Sequence, residues 1–543
     1  MNFLRSLYTR LLVQYRLYRM KLPAARPYMR YSQGSRFINR AILYLSFFVV
    51  ALVGSFLYGY TAIYGNPQPM LQFMGIPVVI LALMCIWALP ERASWGEKAL
   101  YPLLIAYFFF ALVWAQYVSI IKVPGNPWLS PQRVLLYIIS GIALISFSVS
   151  REMKGLIKER YQAHKPIFVC LIILITIELL SLGLTSNMRL SLSYIIRETM
   201  LITIPFLLCA ALFQDAARVR LFIAIAMVSI VILVAFAYQE SRLNQPVWAV
   251  YIPHWWFDTS DETIQRLLTG RSRYDRFRAK SSSLTSLEFA ELLAVLFPFC
   301  LYYLLERRRM ILRGVGAIMT IICLVGIYFS GSRLGFVGAI AAFGTYLFLF
   351  GLRYWRTHRK SLIGPALIAF YPATMTTLLV GIAVSPRLSA MVIGGSSTDA
   401  STQARFDQWQ MGLPMIMKNP FIGYGYANGA YKLGFVNPGG ELTIDTFYLS
   451  ILLETGVPGA LAFFFFHAIA AWVSAKAYLN STDTEGKDGT RIGAAIACAL
   501  VGFLIVKLVL SQRTNHTFLA ILVGFAVALY RNKKNEVKQE NGA

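Results

Sequence analysis

Charged side chains are scarce in this sequence, and acidic ones scarcer still. Asp, Glu, Lys and Arg make up 14% of 543 residues, and only 25 residues are acidic. A soluble domain carries about 25% charged residues, so a water-soluble globular fold is excluded. Cysteine is limited to Cys85, Cys170, Cys209, Cys300, Cys323 and Cys498, all inside apolar runs and with no CxxC pair. Neither a disulfide framework nor a zinc or thiol-redox motif is available. HExxH, GxSxG and a glycine-rich phosphate loop of nucleotide type are missing too, which removes the usual signatures of zinc proteases, serine hydrolases and nucleotide enzymes. The first forty residues hold no Asp or Glu, and their first full apolar stretch begins only near Ala41. That is too late and too long for a cleaved signal peptide.

What is present is apolar surface: 57% of the residues are hydrophobic, in runs that recur from residue 41 to residue 530. Runs of about twenty apolar residues read as helices crossing a bilayer. They fall near 41–63, 70–90, 99–119, 133–150, 166–184, 192–213, 220–238, 286–305, 311–329, 333–351, 362–384, 448–475, 492–511 and 516–530. The expected fold is therefore all-α: a polytopic integral membrane protein of about fourteen (12–14) transmembrane helices. The formal charge of +26 does not imply nucleic acid, because the basic residues sit in short runs between spans. Lys and Arg collect in cytoplasmic loops. ERASWGEK (91–98), REMKGLIKERYQAHK (151–165), QDAARVR (214–220), ERRRMILR (306–313), RYWRTHRK (353–360) and RNKKNEVK (531–538) form the basic set, and the intervening short loops are poorer in Lys and Arg. Both termini are then expected in the cytoplasm. Residues 1–40 form a basic cytoplasmic extension suited to anionic headgroups, and 531–543 a cytoplasmic tail.

Two far-side loops are long, 239–285 and 385–445, and loops of that length are usually functional. In the second, Asp399 or Ser401 is placed to cap a helix, with Phe406, Trp409, Leu413 and Ile416 on one face and Arg405 on its more polar side. Arg333 lies between two apolar runs with almost no loop, a costly position for a cation unless it snorkels or meets an anion. Arg278 precedes a re-entering span, in company with Arg271, Arg273 and Arg276, and Asp445 precedes another, where capping that helix is its alternative role. Of the histidines, His254 beside Trp255 and Trp256 reads as part of an interfacial aromatic belt, with a sugar-stacking platform as the alternative. His516 can serve as a base only if the last hairpin folds over the site. Arginines grip phosphate bidentately and a carboxylate accepts a hydroxyl proton. The set therefore suits transfer from a phosphate-activated donor to an alcohol.

Four segments carry a resemblance: RAKSSSLTSLEFAELL (278–293), SGSRLGFVGAIAA (330–342), ARFDQWQMGLPMIMKNPFIGYGYANGAY (404–431) and TIDTFYLSILLETGVPGALAFF (443–464). In order and spacing they resemble the O-antigen ligase and polymerase superfamily of membrane glycosyltransferases, over about residues 270–465. The resemblance implies a transmembrane glycosyltransferase domain over 41–530 with a periplasmic site in the bacterial inner membrane. It implies an undecaprenyl-pyrophosphate-linked glycan as donor, with no metal or nucleotide cofactor. Arg333 and Arg405 match arginines that would hold the pyrophosphate, and Arg278 belongs to the upstream element, where Ser281 stands at a position many relatives give to Gly. Ligases usually carry a His-Asn pair before E-x-G. Here Asp445-Thr446 takes its place, as in exopolysaccharide polymerases, which makes Asp445 the expected base. The expected activity is repeat-unit polymerisation, with ligation to lipid A–core as the alternative and transport without bond chemistry behind both. A flippase and a chain-length regulator of the same pathway are the partners such an enzyme implies.

Overall fold

The computed structural model describes residues 81–86, 89–118, 129–213, 216–252, 262–270, 272–273, 276–307, 309–385, 396–437, 440–481 and 489–529. The basic extension 1–40, the span at 41–63, most of that at 70–90, His254 and the tail 531–543 lie outside them. The chain divides into Met1–Pro90 and Glu91–Ala543. Of the first unit only the helical residues 81–86 and the bend after them are described. The second unit holds everything below.

Its helices are α1 (Glu97–Val113), α2 (Pro131–Val149), α3 (Arg151–Ala163), α4 (Lys165–Ser181), α5 (Met188–Leu212), α6 (Ala216–Leu243), α7 (Val247–Tyr251) and α8 (Glu262–Leu268). After a two-residue antiparallel ribbon, β1 (Ser272–Arg273) with β2 (Arg276–Phe277), come α9 (Ser286–Glu306), α10 (Met310–Phe329), α11 (Arg333–Thr357) and α12 (Ile363–Val384). Then follow α13 (Ser396–Lys418), α14 (Gly429–Leu433), α15 (Phe447–Leu479), α16 (Gly493–Val506) and α17 (His516–Leu529). Among the described residues the architecture is all-helical apart from that ribbon. Among the described residues eight helices are long and apolar enough to cross a membrane: α2, α4 with the turn to Leu184, α5, α6, α9, α10, α11 and α15. The α1 segment has 17 residues and α16 and α17 have 14 each. The expected run 492–511 stops at Val506, because Lys507 turns into the interior and pairs with Glu291 at 2.9 Å.

Burial follows the hydrophobic pattern. Helices α16 and α17 are apolar nearly all round, and with α9 they are buried on nearly every side, as central helices are. Peripheral α10 instead turns Ile311, Ile318, Ile321 and Val325 outward, and an apolar face of that extent belongs against lipid. The six cysteines carry no disulfide. Short links at 307–309 and 330–332 make α9, α10 and α11 run up and down. At one end of this bundle Glu306 of α9 accepts from Arg353 of α11 at 3.2 Å and from the Tyr478 hydroxyl of α15 at 2.5 Å. The opposite end gathers the starts of α9, α11, α15 and α17. It carries the residues singled out in the sequence.

Candidate functional site

The SGSR turn is the simplest part. Helix α10 ends at Phe329, Gly331 takes φ +59°, and Arg333 opens α11 with its side chain exposed. The break foreseen at 330–333 is therefore real. Arg278 comes to this turn from the other side: its Nε donates to the Ser330 carbonyl at 3.3 Å, and the Ala279 N–H donates to the Phe329 carbonyl at 3.0 Å. A Cβ at Gly331 would press on the Arg278 side chain at 3.2 Å. Arg278 and Arg333 thus share one turn. Seven residues beyond Arg278, Thr285 caps α9 by accepting the Glu288 N–H, and the Glu288 carboxylate accepts the Leu284 N–H. This reciprocal arrangement is a capping box, legible as T-x-x-E.

Arg405 and Asp445 form the second pair. Gln408, one turn beyond Arg405 on α13 and fully buried, accepts the Asp445 N–H at 2.9 Å. Burial holds the Asp445 carboxyl above its ordinary value, while the positive charge of Arg405 pulls it back down. A cation and a carboxylate therefore act on one another at the bundle end. Asp445 does not cap α15: Thr446 is the N-cap residue, and no side chain bonds there. Both pairs border the turn after α16, since Leu334 packs with Val506 and Leu510, and the Phe447 N–H donates to the Lys507 carbonyl at 3.3 Å.

Two expectations for α13 are corrected. The helix begins at Ser396, so Asp399 and Ser401 lie inside it and not at its cap. The expected apolar face is also split. Ile416 and Gln408 are buried and Trp409 packs inward, but Phe406 and Leu413 are more than half exposed, and Arg405 lies on the inward side. Both sides of this helix carry apolar residues, so hydrophobic spacing alone does not choose between them. The choice is made by Gln408 reaching Asp445.

The P-x-x-G-x-G turn serves the fold. Helix α15 is broken at Gly456, with φ +70°, and the turn enters the break: the Val457 N–H donates to the Pro420 carbonyl at 2.7 Å and the Tyr424 N–H to the Leu453 carbonyl at 2.7 Å. A Cβ on Gly456 would meet the Pro420 carbonyl oxygen at 2.5 Å. On its far side, the Tyr426 N–H reaches Ser181 and the Tyr426 carbonyl accepts from Ser191, joining α4 and α5. Its polar groups are thus satisfied by the protein.

The last hairpin does fold onto the start of α15. Arg513 pairs with Glu454 of the E-x-G segment and stacks over Tyr426, while Asn515 donates to Glu291. His516, however, is buried among the rings of Phe447, Phe463 and Phe503, with centroids 5.0, 5.4 and 5.8 Å away. That is an aromatic interior, two residues along the chain from Asp445 at its Phe447 wall. Sequence reasoning missed Gln408, although its i+3 spacing from Arg405 was a signal. It also missed Glu240, an acid at the end of an apolar run, which by itself marks a candidate.

The fold defines a multi-pass, all-helical membrane protein with cations and a carboxylate collected at one end. Residues 318–464 match the family model described as O-antigen ligase, which is the superfamily that the motifs resemble. Arg333, Arg405 and Asp445 fall within the match and Arg278 outside it. No curated protein matches the chain.

Proposed function

We propose that the chain is a membrane glycosyltransferase that polymerises polysaccharide repeat units. The donor is an undecaprenyl-pyrophosphate-linked glycan and the acceptor a sugar hydroxyl at the periplasmic face of the inner membrane. The observation that carries this reading is the Arg405–Asp445 pair beside the Arg278–Arg333 turn. In the proposed step Asp445 takes the proton of the acceptor hydroxyl as its oxygen attacks the anomeric carbon. The bond from that carbon to the pyrophosphate oxygen breaks, and undecaprenyl pyrophosphate leaves as an anion with inversion at carbon. Arg333 and Arg405, supported by Arg278, hold the donor pyrophosphate and stabilise the charge that grows on it. Fixed donors aimed at developing charge are usually the largest catalytic contribution. Arginine side chains, and not a metal ion, supply the counter-charge in this scheme.

Domain 41–530 is read as the transferase unit, with about fourteen spans, both termini cytoplasmic and 385–445 extracytoplasmic. A flippase delivering the donor and a chain-length regulator are its proposed partners. Ligation to lipid A–core is the second reading, favoured by the description of the matching family model; Asp445-Thr446 in place of a His-Asn pair favours the polymerase. The test is a purified protein given lipid-linked repeat units, alone and with lipid A–core. Elongation with repeat units alone supports the polymerase, and capping of the core without elongation supports the ligase. No transfer to either acceptor, with the lipid-linked glycan merely moved across a vesicle membrane, would leave the transporter.

A further inference from the structure

Glu240 lies at the end of α6, outside both the matched segment and the proposed chemistry, and its side chain is fully buried. It accepts three backbone N–H groups: Val247 at 3.1 Å on one oxygen, and Lys280 at 2.8 Å and Ser281 at 2.9 Å on the other. Two successive N–H groups converging on one oxygen make an anion-binding nest. Such a nest needs a left-handed residue, and Ser281 supplies it with φ +53°. The strained serine is held by its own hydroxyl, which donates to the Leu233 carbonyl at 2.9 Å, and by Trp248, whose Nε1 donates to the Ser281 carbonyl at 3.1 Å. The next residue, Ser282, donates to the Leu112 carbonyl at 2.6 Å.

The residue two before this nest is Arg278. Its direction is fixed on one side by the Ser330 carbonyl and Gly331, and on the other by the chain that Glu240 pins. We propose that Glu240 is a positioning residue: by holding the 280–281 backbone as an anion in a nest, it sets Arg278 against the Arg333 turn for the donor pyrophosphate. This rests on the reading of Arg278 as a donor-binding group. A charge is the suitable device, because charge-assisted bonds are roughly twice as strong as neutral ones. Glutamine keeps the shape but offers one acceptor oxygen, and its amide NH2 would face an N–H donor.

The test is a double-mutant cycle on the full-length protein in lipid, with lipid-linked repeat units as donor and both kcat and donor KM measured. Glu240→Ala is expected to raise donor KM between about 10- and 100-fold, the scale on which misplaced groups cost activity, with kcat changed far less. In an Arg278→Ala background the same change should add less than about twofold, because the group being positioned is gone. Glu240→Gln should show the same pattern at smaller size, and it carries the cycle if Glu240→Ala does not fold. Full additivity between the two positions would overturn the proposal, as would a fall in kcat at constant KM; either marks Glu240 as merely structural. Arg278→Ala with an unchanged donor KM would instead remove the donor role of Arg278, and the proposal with it. That single-variant result separates failure of the functional reading from failure of the positioning role.

Discussion

At the scale of the residue, the proposed chemistry divides binding from proton transfer, and the two respond differently to substitution. Arg333→Ala and Arg405→Ala should abolish polymer formation in protein that still folds and inserts. The lysine variants should nearly do so as well, since a point charge does not reproduce a two-bond grip on phosphate. Asp445→Asn should keep donor affinity while turnover falls by roughly 10²–10⁴, the usual contribution of a positioned base. Full turnover in Asp445→Asn would remove it as the base. The pH profile adds a signed test. Burial raises the Asp445 carboxyl above its ordinary 3.8 and Arg405 opposes that rise. A base must be ionised, so kcat/KM should fall as pH drops through that raised value, with its acid limb above 3.8. Arg405→Gln removes the opposing cation, and the Asp445 carboxyl, titrated by infrared difference spectroscopy, should lose its proton at higher pH than in the parent protein. A titration that stays put would mean that Arg405 does not act on the carboxyl. The types of these four residues were legible in the sequence, because a charge beside an apolar run is costly and stands out. Their pairing was not, since it depends on Gln408, one turn beyond Arg405, reaching Asp445 across 37 positions of chain.

At the scale of the element, the break in α15 and the inward face of α13 shape the site. Gly456→Ala asks a side chain to accept φ +70° with its Cβ against the Pro420 carbonyl. With ψ −173° this is a backbone region used essentially by glycine alone, and it costs another residue about 1–3 kcal/mol. The 420–426 turn should then leave the break, lowering the melting temperature in detergent and activity together. The two faces of α13 should separate in the same assay: Ile416→Ala destabilises by about 2–5 kcal/mol, and Leu413→Ala has little effect. Equal losses would mean that the helix buries both faces. Ser281→Gly should be tolerated, because relief of the left-handed serine offsets the lost bond to Leu233. A β-branched residue there should not be. The apolar runs, the T-x-x-E cap and the 330–332 break were all readable, since each is written in a few adjacent residues. The inward face of α13, the nest around Glu240 and the place of His516 were not. Each depends on partners brought from distant elements, and no local period encodes that choice.

At the scale of the molecule, the basic links and the proposed site are segregated along the bundle axis. By the up-and-down order of the helices, the basic links 214–220, 306–313 and 353–360 fall at the end where Glu306 meets Arg353. The links at 330–332 and 507–515, with Arg333 and the start of α15, fall at the other. Lys and Arg in short loops set orientation, so the first end is expected in the cytoplasm and the proposed site outside it. Helix α12 is the critical link, for it must carry the chain from 353–360 across to α13. Reporter fusions decide the matter directly. Fusions after Ile252 and Asp399 should report the extracytoplasmic side, and fusions after Arg359 and Lys534 the cytoplasm. If Asp399 and Arg359 report the same side, α12 does not cross, and α13 with Arg405 is separated by the membrane from Arg333. No shared pyrophosphate site would then be possible, whatever the single variants show, because the two arginines must meet one donor on one face.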